Sequence, residues 1–182
     1  MDGDLDSTLI QKADSLYGQG QLQEALQAYT DALNENPSLA WAFSRIGAIH
    51  AQLGDDRQAE EALLKALAID PHLAQAHSNL GNIFYARGEY AEALAKYREA
   101  VTLNPDNPVF HQNMHAVYKK LGKLSEAVRE LKQADRLSRS QARAESKAAY
   151  EGMKTKLKGR AGCFGTVAVM LILIGVLVVF AI

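Results

Sequence analysis

The chain has little of what would break helices, build strands or cross-link loops. One cysteine, Cys163, in 182 residues excludes an internal disulfide framework. Four prolines, and few β-branched residues before position 166, leave a sequence dominated by Ala, Leu, Glu, Gln and Lys, the composition of helices rather than sheets. The start, MDGDLDSTLIQ, lacks the basic and apolar regions of a secretory leader. With the lone thiol, this places the expected body of the protein in a reducing cytoplasm. An almost all-α fold is expected.

The net charge of -1 conceals an asymmetry. Residues 1–131 carry 11 Lys and Arg against 18 Asp and Glu, whereas residues 132–160 carry 9 against 3 and residues 161–182 carry none. An acidic body, a basic neck and an uncharged tail follow one another, and no nucleic-acid partner is expected of the body.

What the sequence does have is a period. Gly20, Gly54, Gly88 and Gly122 step by 34 residues, as do Ala25, Ala59, Ala93 and Ala127, then Ala32, Ala66, Ala100 and Ala134, then Pro37, Pro71 and Pro105. Each unit reads as a helical pair. In the second, Phe43, Ile46, Gly47 and His50 recur at helical spacing, Gly54 interrupts, and Ala59, Leu63 and Ala66 resume the pattern. Pro71 ends the second helix because proline cannot continue it and disfavours helical backbone at Asp70.

These residues resemble the tetratricopeptide repeat. The third unit carries its pattern best, with Leu80, Gly81, Phe84, Ala93, Tyr97, Ala100 and Pro105, while His77 departs from it. The end units depart more, at Lys12 and Ala13 in the first and at Met114, His115 and Arg139 in the fourth. End repeats face solvent or a cap, so atypical residues are expected there. The resemblance implies a right-handed all-α helical-hairpin solenoid of four repeats, 6–39, 40–73, 74–107 and 108–139, after a disordered segment 1–5. Because Arg139 replaces the closing proline, the last helix is expected to run on. Residues 140–160 are expected to form a basic capping and juxtamembrane helix, and 161–182 a membrane tail anchor.

By the same resemblance, the first helix of each pair lines a concave groove. The residues implied to face it are Tyr17, Trp41, Arg45, Asn79, Asn82, Tyr85, Asn113 and Lys119. Asn79 and Asn82 lie three apart, on one helical face. Each carries a donor and an acceptor suited to the backbone of an extended peptide, and the groove looks similar to the asparagine-lined peptide channel of O-GlcNAc transferase. The competing reading leaves these asparagines merely solvated. The carboxylate clamp that captures chaperone C-termini is not expected, because its positions hold Ser44, Ala48, Asn79, Val109 and Asn113, of which only Asn79 fits.

Other chemistry finds little support. Gly81 and Gly88 follow no strand, which excludes a phosphate-binding loop. His111 and His115 share the i, i+4 spacing of a metal pair, but no acidic residue of the HExxH kind lies between them and no third ligand is evident. Packed, uncharged histidines are expected instead. No cofactor and no catalytic role are expected.

The run CFGTVAVMLILIGVLVVFAI, residues 163–182, has no charge. As a helix rising about 1.5 Å per residue it covers about 30 Å, the thickness of a bilayer's hydrocarbon core. Lys154, Lys156, Lys158 and Arg160 flank it, which by the positive-inside tendency keeps the repeats cytoplasmic. Cys163 at that boundary is a lipidation candidate, though an inert thiol is the plainer reading. The sequence therefore points to a single-pass, tail-anchored adaptor for a protein or peptide partner, with a self-associating scaffold, a homo-oligomer, as the alternative and a metal-dependent or regulatory activity centred on His111 and His115 as a third reading. A bacterial inner membrane is the expected location and a eukaryotic organelle outer membrane the alternative.

Overall fold

The 34-residue period becomes a period of hydrogen bonds. In the turn after Leu53, Gly54 adopts φ 84°, a left-handed conformation that costs glycine nothing. It lets the Asp55 amide reach back to the His50 carbonyl at 2.9 Å and the Gly54 amide to the Ala51 carbonyl at 3.2 Å, the paired bonds of a Schellman helix stop. The six-residue bond recurs from Gln21 to Leu16 (3.0 Å), Glu89 to Phe84 (2.9 Å) and Lys123 to Tyr118 (2.9 Å), each beside a glycine of positive φ.

The opposite turns use a different device. Asn36, Asp70 and Asn104, which precede the three periodic prolines, all leave the helical region, with φ between -129° and -141°. The Asn36 and Asp70 side chains then accept the amides of Ser38 (3.2 Å) and His72 (2.9 Å), so short polar side chains close the turn that the proline opens.

The computed structural model describes the backbone of residues 2–179 and the side chains of residues 8–156. Eight helices and no strand occur among them: α1 (Asp2–Gly18), α2 (Leu22–Glu35), α3 (Ala40–Leu53), α4 (Asp56–Ile69), α5 (Ala74–Ala86), α6 (Tyr90–Leu103), α7 (Pro108–Lys120) and α8 (Leu124–Val179). Helices α3, α5 and α7 begin on the first residue of repeats two, three and four. The α1 helix begins at Asp2, within the segment expected to be disordered; acidic residues at a helix N-terminus suit its dipole.

The chain divides into two units at Leu137. The first is an all-α solenoid of helical hairpins. Within it, α1 packs on α2, α3 on α4 and α5 on α6, and the odd helices also touch, α3 against α5 and α5 against α7. Small residues set how closely paired helices approach. A Cβ on Gly47 would lie 2.6 Å from Leu63 Cγ, and one on Gly81 would lie 2.6 Å from Tyr97 Cε1. Ala13 and His115 hold the same position in the end repeats, Ala13 fully buried and His115 donating from Nδ1 to the Ala127 carbonyl at 2.8 Å.

The core is a series of layers rather than one centre. Tyr29, Ala42 and Ile49 pack the first junction, Leu63, Leu80 and Ile83 the second, and Leu94, Tyr97, Met114 and Val117 the third. Beyond the fourth repeat the series stops. Val128 and Leu131 are 50% and 39% exposed, whereas Leu94 and Tyr97, one period earlier, are 6% and 2% exposed under α7.

The second unit starts at Ser138 on α8. Its described side chains are almost all exposed, Tyr150 and Met153 among them, with an ion pair between Lys154 and Glu151 at 3.6 Å. No helix among the described residues is long and apolar enough to cross a membrane. The expected span, 161–182, and its flanking Lys158 and Arg160 lie outside the residues whose side chains are described; Lys154 and Lys156 lie within them and are exposed.

Candidate functional site

The odd helices bring together residues that are far apart in sequence. Tyr17 of α1, Ala48, Ala51 and Gln52 of α3, and Asn79, Asn82 and Ile83 of α5 line a cavity of about 390 Å³. Tyr17, Ala48 and Asn79 also border a second cavity, of about 310 Å³, completed by Trp41, Ser44, Arg45, Leu73 and Gln75. The shared residues make the two adjoining. Tyr17, Trp41, Arg45, Asn79 and Asn82, five of the eight groove residues expected from the sequence, therefore surround one depression.

Its aromatic end is fixed by stacking. The Arg45 guanidinium sits 5.3 Å from the centre of the Tyr17 ring, within cation–π range. Trp41 meets Tyr29 edge to face at 6.0 Å. Arg45 Nε approaches Asp14 Oδ1 at 3.8 Å, and 45% of the Arg45 side chain stays exposed. The Tyr17 hydroxyl accepts from Gln52 Nε2 at 2.8 Å, which ties α1 to α3 across the repeat boundary.

Two of the three asparagines are connected across a repeat boundary. Asn113 Nδ2 donates to Ser78 Oγ at 3.2 Å and to Asn82 Oδ1 at 3.4 Å, linking repeats three and four. Asn82 Oδ1 also accepts from the Tyr97 hydroxyl at 2.7 Å. Asn79 is 9% exposed and accepts from Gln75 Nε2 at 3.0 Å. The amide oxygens are thus engaged within the wall, which orients the Asn79 and Asn82 amide groups as donors.

Two buried tyrosines hold this wall from behind. Tyr97 fixes Asn82, and Tyr29 donates to Asp14 Oδ1 at 2.6 Å. Each pair spans fifteen residues, joining the second helix of a repeat to the groove face of its first. Burial, aided by Asp14 at Tyr29 and by Tyr85 at Tyr97, pushes both hydroxyls well above the ordinary tyrosine range. Both stay protonated donors. Neither tyrosine stands out as a site residue in the sequence, yet the signal is there. Where the second helix has tyrosine, the groove position holds Asp14 or Asn82; where it has Leu63 or Leu131, the groove position holds Ala48 or Ala116.

The remaining expected residues lie apart from the depression. Tyr85 packs on Tyr90 with ring centres 5.5 Å apart, and Lys119 is exposed near the end of α7. His111 and His115 do not converge on a common point. The His111 Nε2 faces the Pro105 carbonyl at 3.1 Å and its Nδ1 meets Glu130 Oε2 at 2.8 Å, both residues being buried. A carbonyl only accepts, so Nε2 donates to Pro105. His111 is packed in the hairpin and paired with the buried Glu130 carboxylate. Among the described residues no cluster of three or more His, Cys, Asp and Glu side chains is placed to hold a metal.

A family model described as TPR repeat matches residues 13–54, 49–86 and 81–122, together more than half of the chain. Among solved structures, the chain is similar to pilF of Pseudomonas aeruginosa, with 26% identity and a TM-score of 0.69 over 76% of this chain and 63% of that one. It is similar to MamA of Desulfovibrio magneticus RS-1, with 23% identity and a TM-score of 0.62 over 75% and 77% of the two chains. It is also similar to an O-GlcNAc transferase of Thermobaculum terrenum, with 25% identity and a TM-score of 0.62, covering 65% of this chain and only 23% of the transferase. The chain thus spans less than two thirds of pilF and of the transferase. No curated protein matches it.

Proposed function

The chain belongs to the tetratricopeptide repeat family, and from that membership we propose that it is a non-catalytic interaction adaptor whose inner wall holds an extended segment of a partner protein at a membrane. The observation that carries this is the convergence of Tyr17, Trp41, Arg45, Asn79 and Asn82 around two adjoining cavities. Aromatic faces supply apolar area and fixed amides supply backbone-directed hydrogen bonds, the combination that recognises a peptide by its main chain with modest side-chain preference. Preformed hydrogen bonds among Ser78, Asn82, Asn113 and Tyr97 lower the ordering cost of binding.

Membrane attachment rests on the uncharged run 163–182 and the basic residues before it. That polarity puts the repeats on the cytoplasmic side, in a bacterial inner membrane by preference or a eukaryotic organelle outer membrane otherwise. Confinement to a surface raises local concentration, so a weak groove suffices. A second reading, self-association of a scaffold, draws on the exposed Leu124, Val128 and Leu131 at the uncovered end of the solenoid.

Asn79→Ala combined with Asn113→Ala, in the full chain purified from membranes with its bound proteins, separates the two. The adaptor reading expects a co-purifying partner to be lost while helicity and self-association are kept. Retention of every co-purifying protein by a folded double variant contradicts it.

A further inference from the structure

The inner wall has a charge unlike that of the body it belongs to. Residues 1–131 carry 18 acidic side chains, yet none lies on α3 (AWAFSRIGAIHAQL), α5 (AQAHSNLGNIFYA) or α7 (PVFHQNMHAVYKK). Those three helices carry Arg45, Lys119 and Lys120 instead. The acids sit on α1, on the even helices and in the turns. One of them, Asp56, borders the depression and faces Arg87 Nε at 3.6 Å; Asp14 stands beside it, taking the Tyr29 hydroxyl and approaching Arg45 Nε at 3.8 Å, a contact long enough to leave the guanidinium open to a second carboxylate. An acidic shell around a basic, amide-lined wall repels an acidic segment everywhere but along that wall, and selects against a basic one.

We infer that the segment bound in the groove is acidic, with one carboxylate held by Arg45 and a second by Lys119 and Lys120, its intervening backbone lying along Asn79, Asn82 and Asn113. This rests on the adaptor reading and adds the partner's chemistry. Arg45 stands in repeat two and the lysines in repeat four, and α5 lies between their helices. Packed helices lie about 8–10 Å apart, so the two anchors are roughly 20 Å apart. An extended chain advances about 3.3 Å per residue, which puts about six residues between the two carboxylates. Arg45 is suited to its part, since stacking on Tyr17 holds the guanidinium plane while nearly half of the side chain stays open.

The test uses labelled peptides about twelve residues long, identical except for a pair of Glu, Gln or Lys spaced by that interval, titrated by fluorescence anisotropy against the full chain in detergent. The Glu peptide is expected to bind roughly tenfold more tightly than the Gln peptide, an advantage that shrinks with added salt. Arg45→Gln, or Lys119→Gln with Lys120→Gln, is expected to remove most of that advantage, whereas Arg143→Gln with Lys147→Gln on α8 leaves it intact. Equal affinity for Glu and Gln peptides, lost in the Asn82→Ala, Asn113→Ala variant, overturns the acidic preference and leaves the groove reading standing. Tight Glu binding that depends on Arg143 and Lys147 alone, or no binding of any of the three peptides, overturns the inference and counts against the groove as well.

Discussion

Repeats one and three differ from repeats two and four in a way that the common 34-residue frame conceals. In the first pair a buried tyrosine, Tyr29 or Tyr97, reaches through the hairpin and fixes a polar groove residue, Asp14 or Asn82. In the second pair Leu63 and Leu131 take the tyrosine's place and the groove position shrinks to Ala48 or Ala116. The alternation has a physical reason. A polar side chain on the groove face holds one orientation only when something behind it supplies a hydrogen bond, and a tyrosine buried at one end and polar at the other can do so. Where the groove position is not polar, a leucine brings no hydroxyl to be satisfied; in repeat two Leu63 fills the layer, and Ala48 opposite leaves the space that Tyr17 and Asn79 border as a cavity.

The largest effect that would break this comparison is steric. Gly81 lies against the Tyr97 ring, so Gly81→Val must push the tyrosine away from Asn82; a loss of about 3 kcal/mol in chemical denaturation is expected. The same substitution at the chain-reversing Gly88, which has open space around its α-carbon but φ 80°, acts through backbone strain alone and is expected to cost about 1–2 kcal/mol. A Gly81→Val protein as stable as the parent would contradict the close packing described for the central hairpins.

Transplanting the hook is subtler. Leu63→Tyr alone buries a hydroxyl beside Ala48 and is expected to cost about 1–2 kcal/mol. Adding Ala48→Asn supplies the partner and is expected to recover about 1 kcal/mol, measured as the coupling in a double-mutant cycle. Strict additivity of the two changes would show that the pairing in repeats one and three is incidental.

Removing a native hook is smaller still. Tyr97→Phe deletes one hydrogen bond while keeping the ring, for an expected loss of about 1 kcal/mol. Leu131→Phe in repeat four, at an exposed position, is expected to change stability by under about 0.5 kcal/mol.

The smallest effect is a pH dependence. The hydroxyls of Tyr29 and Tyr97 ionise above the ordinary tyrosine value in the folded state, which is about 10 in an unfolded chain. Below pH 10 both states are protonated and the contribution is fully present. Above it the unfolded chain loses protons that the folded chain keeps, so stability falls as pH rises. Thermal midpoints measured from about pH 8 to 11 are expected to decline above about pH 10, and less steeply when both tyrosines are replaced by phenylalanine.

Much of the solenoid was legible because its causes are local. The glycine of each hairpin, the prolines after α2, α4 and α6, and the small residues at Gly47 and Gly81 each act within a turn or a helix pair, and each recurs at the period. Arg139 in place of proline foretold a helix that continues, as α8 does past it. The groove was legible only as a set of positions. That Asn82 and Asn113 bond to each other, and that Tyr97 holds Asn82, depends on distances between helices that no periodicity encodes. His111 shows the same limit. Its spacing from His115 suggested packing, whereas the carboxylate that completes its buried pair comes from Glu130, nineteen residues further on.

A peptide-binding groove requires that the inner side of the solenoid, and not the outer, meets a partner. A photo-crosslinking residue placed at Asn82 on the inner wall, or at Lys65 on the outer helix α4, in the full chain within its native membrane, reads this out as crosslinked bands. The groove account predicts a discrete partner band from position 82, absent from position 65 and weakened by Arg45→Gln. Bands of equal strength from both positions, or a band from position 65 alone, would contradict it.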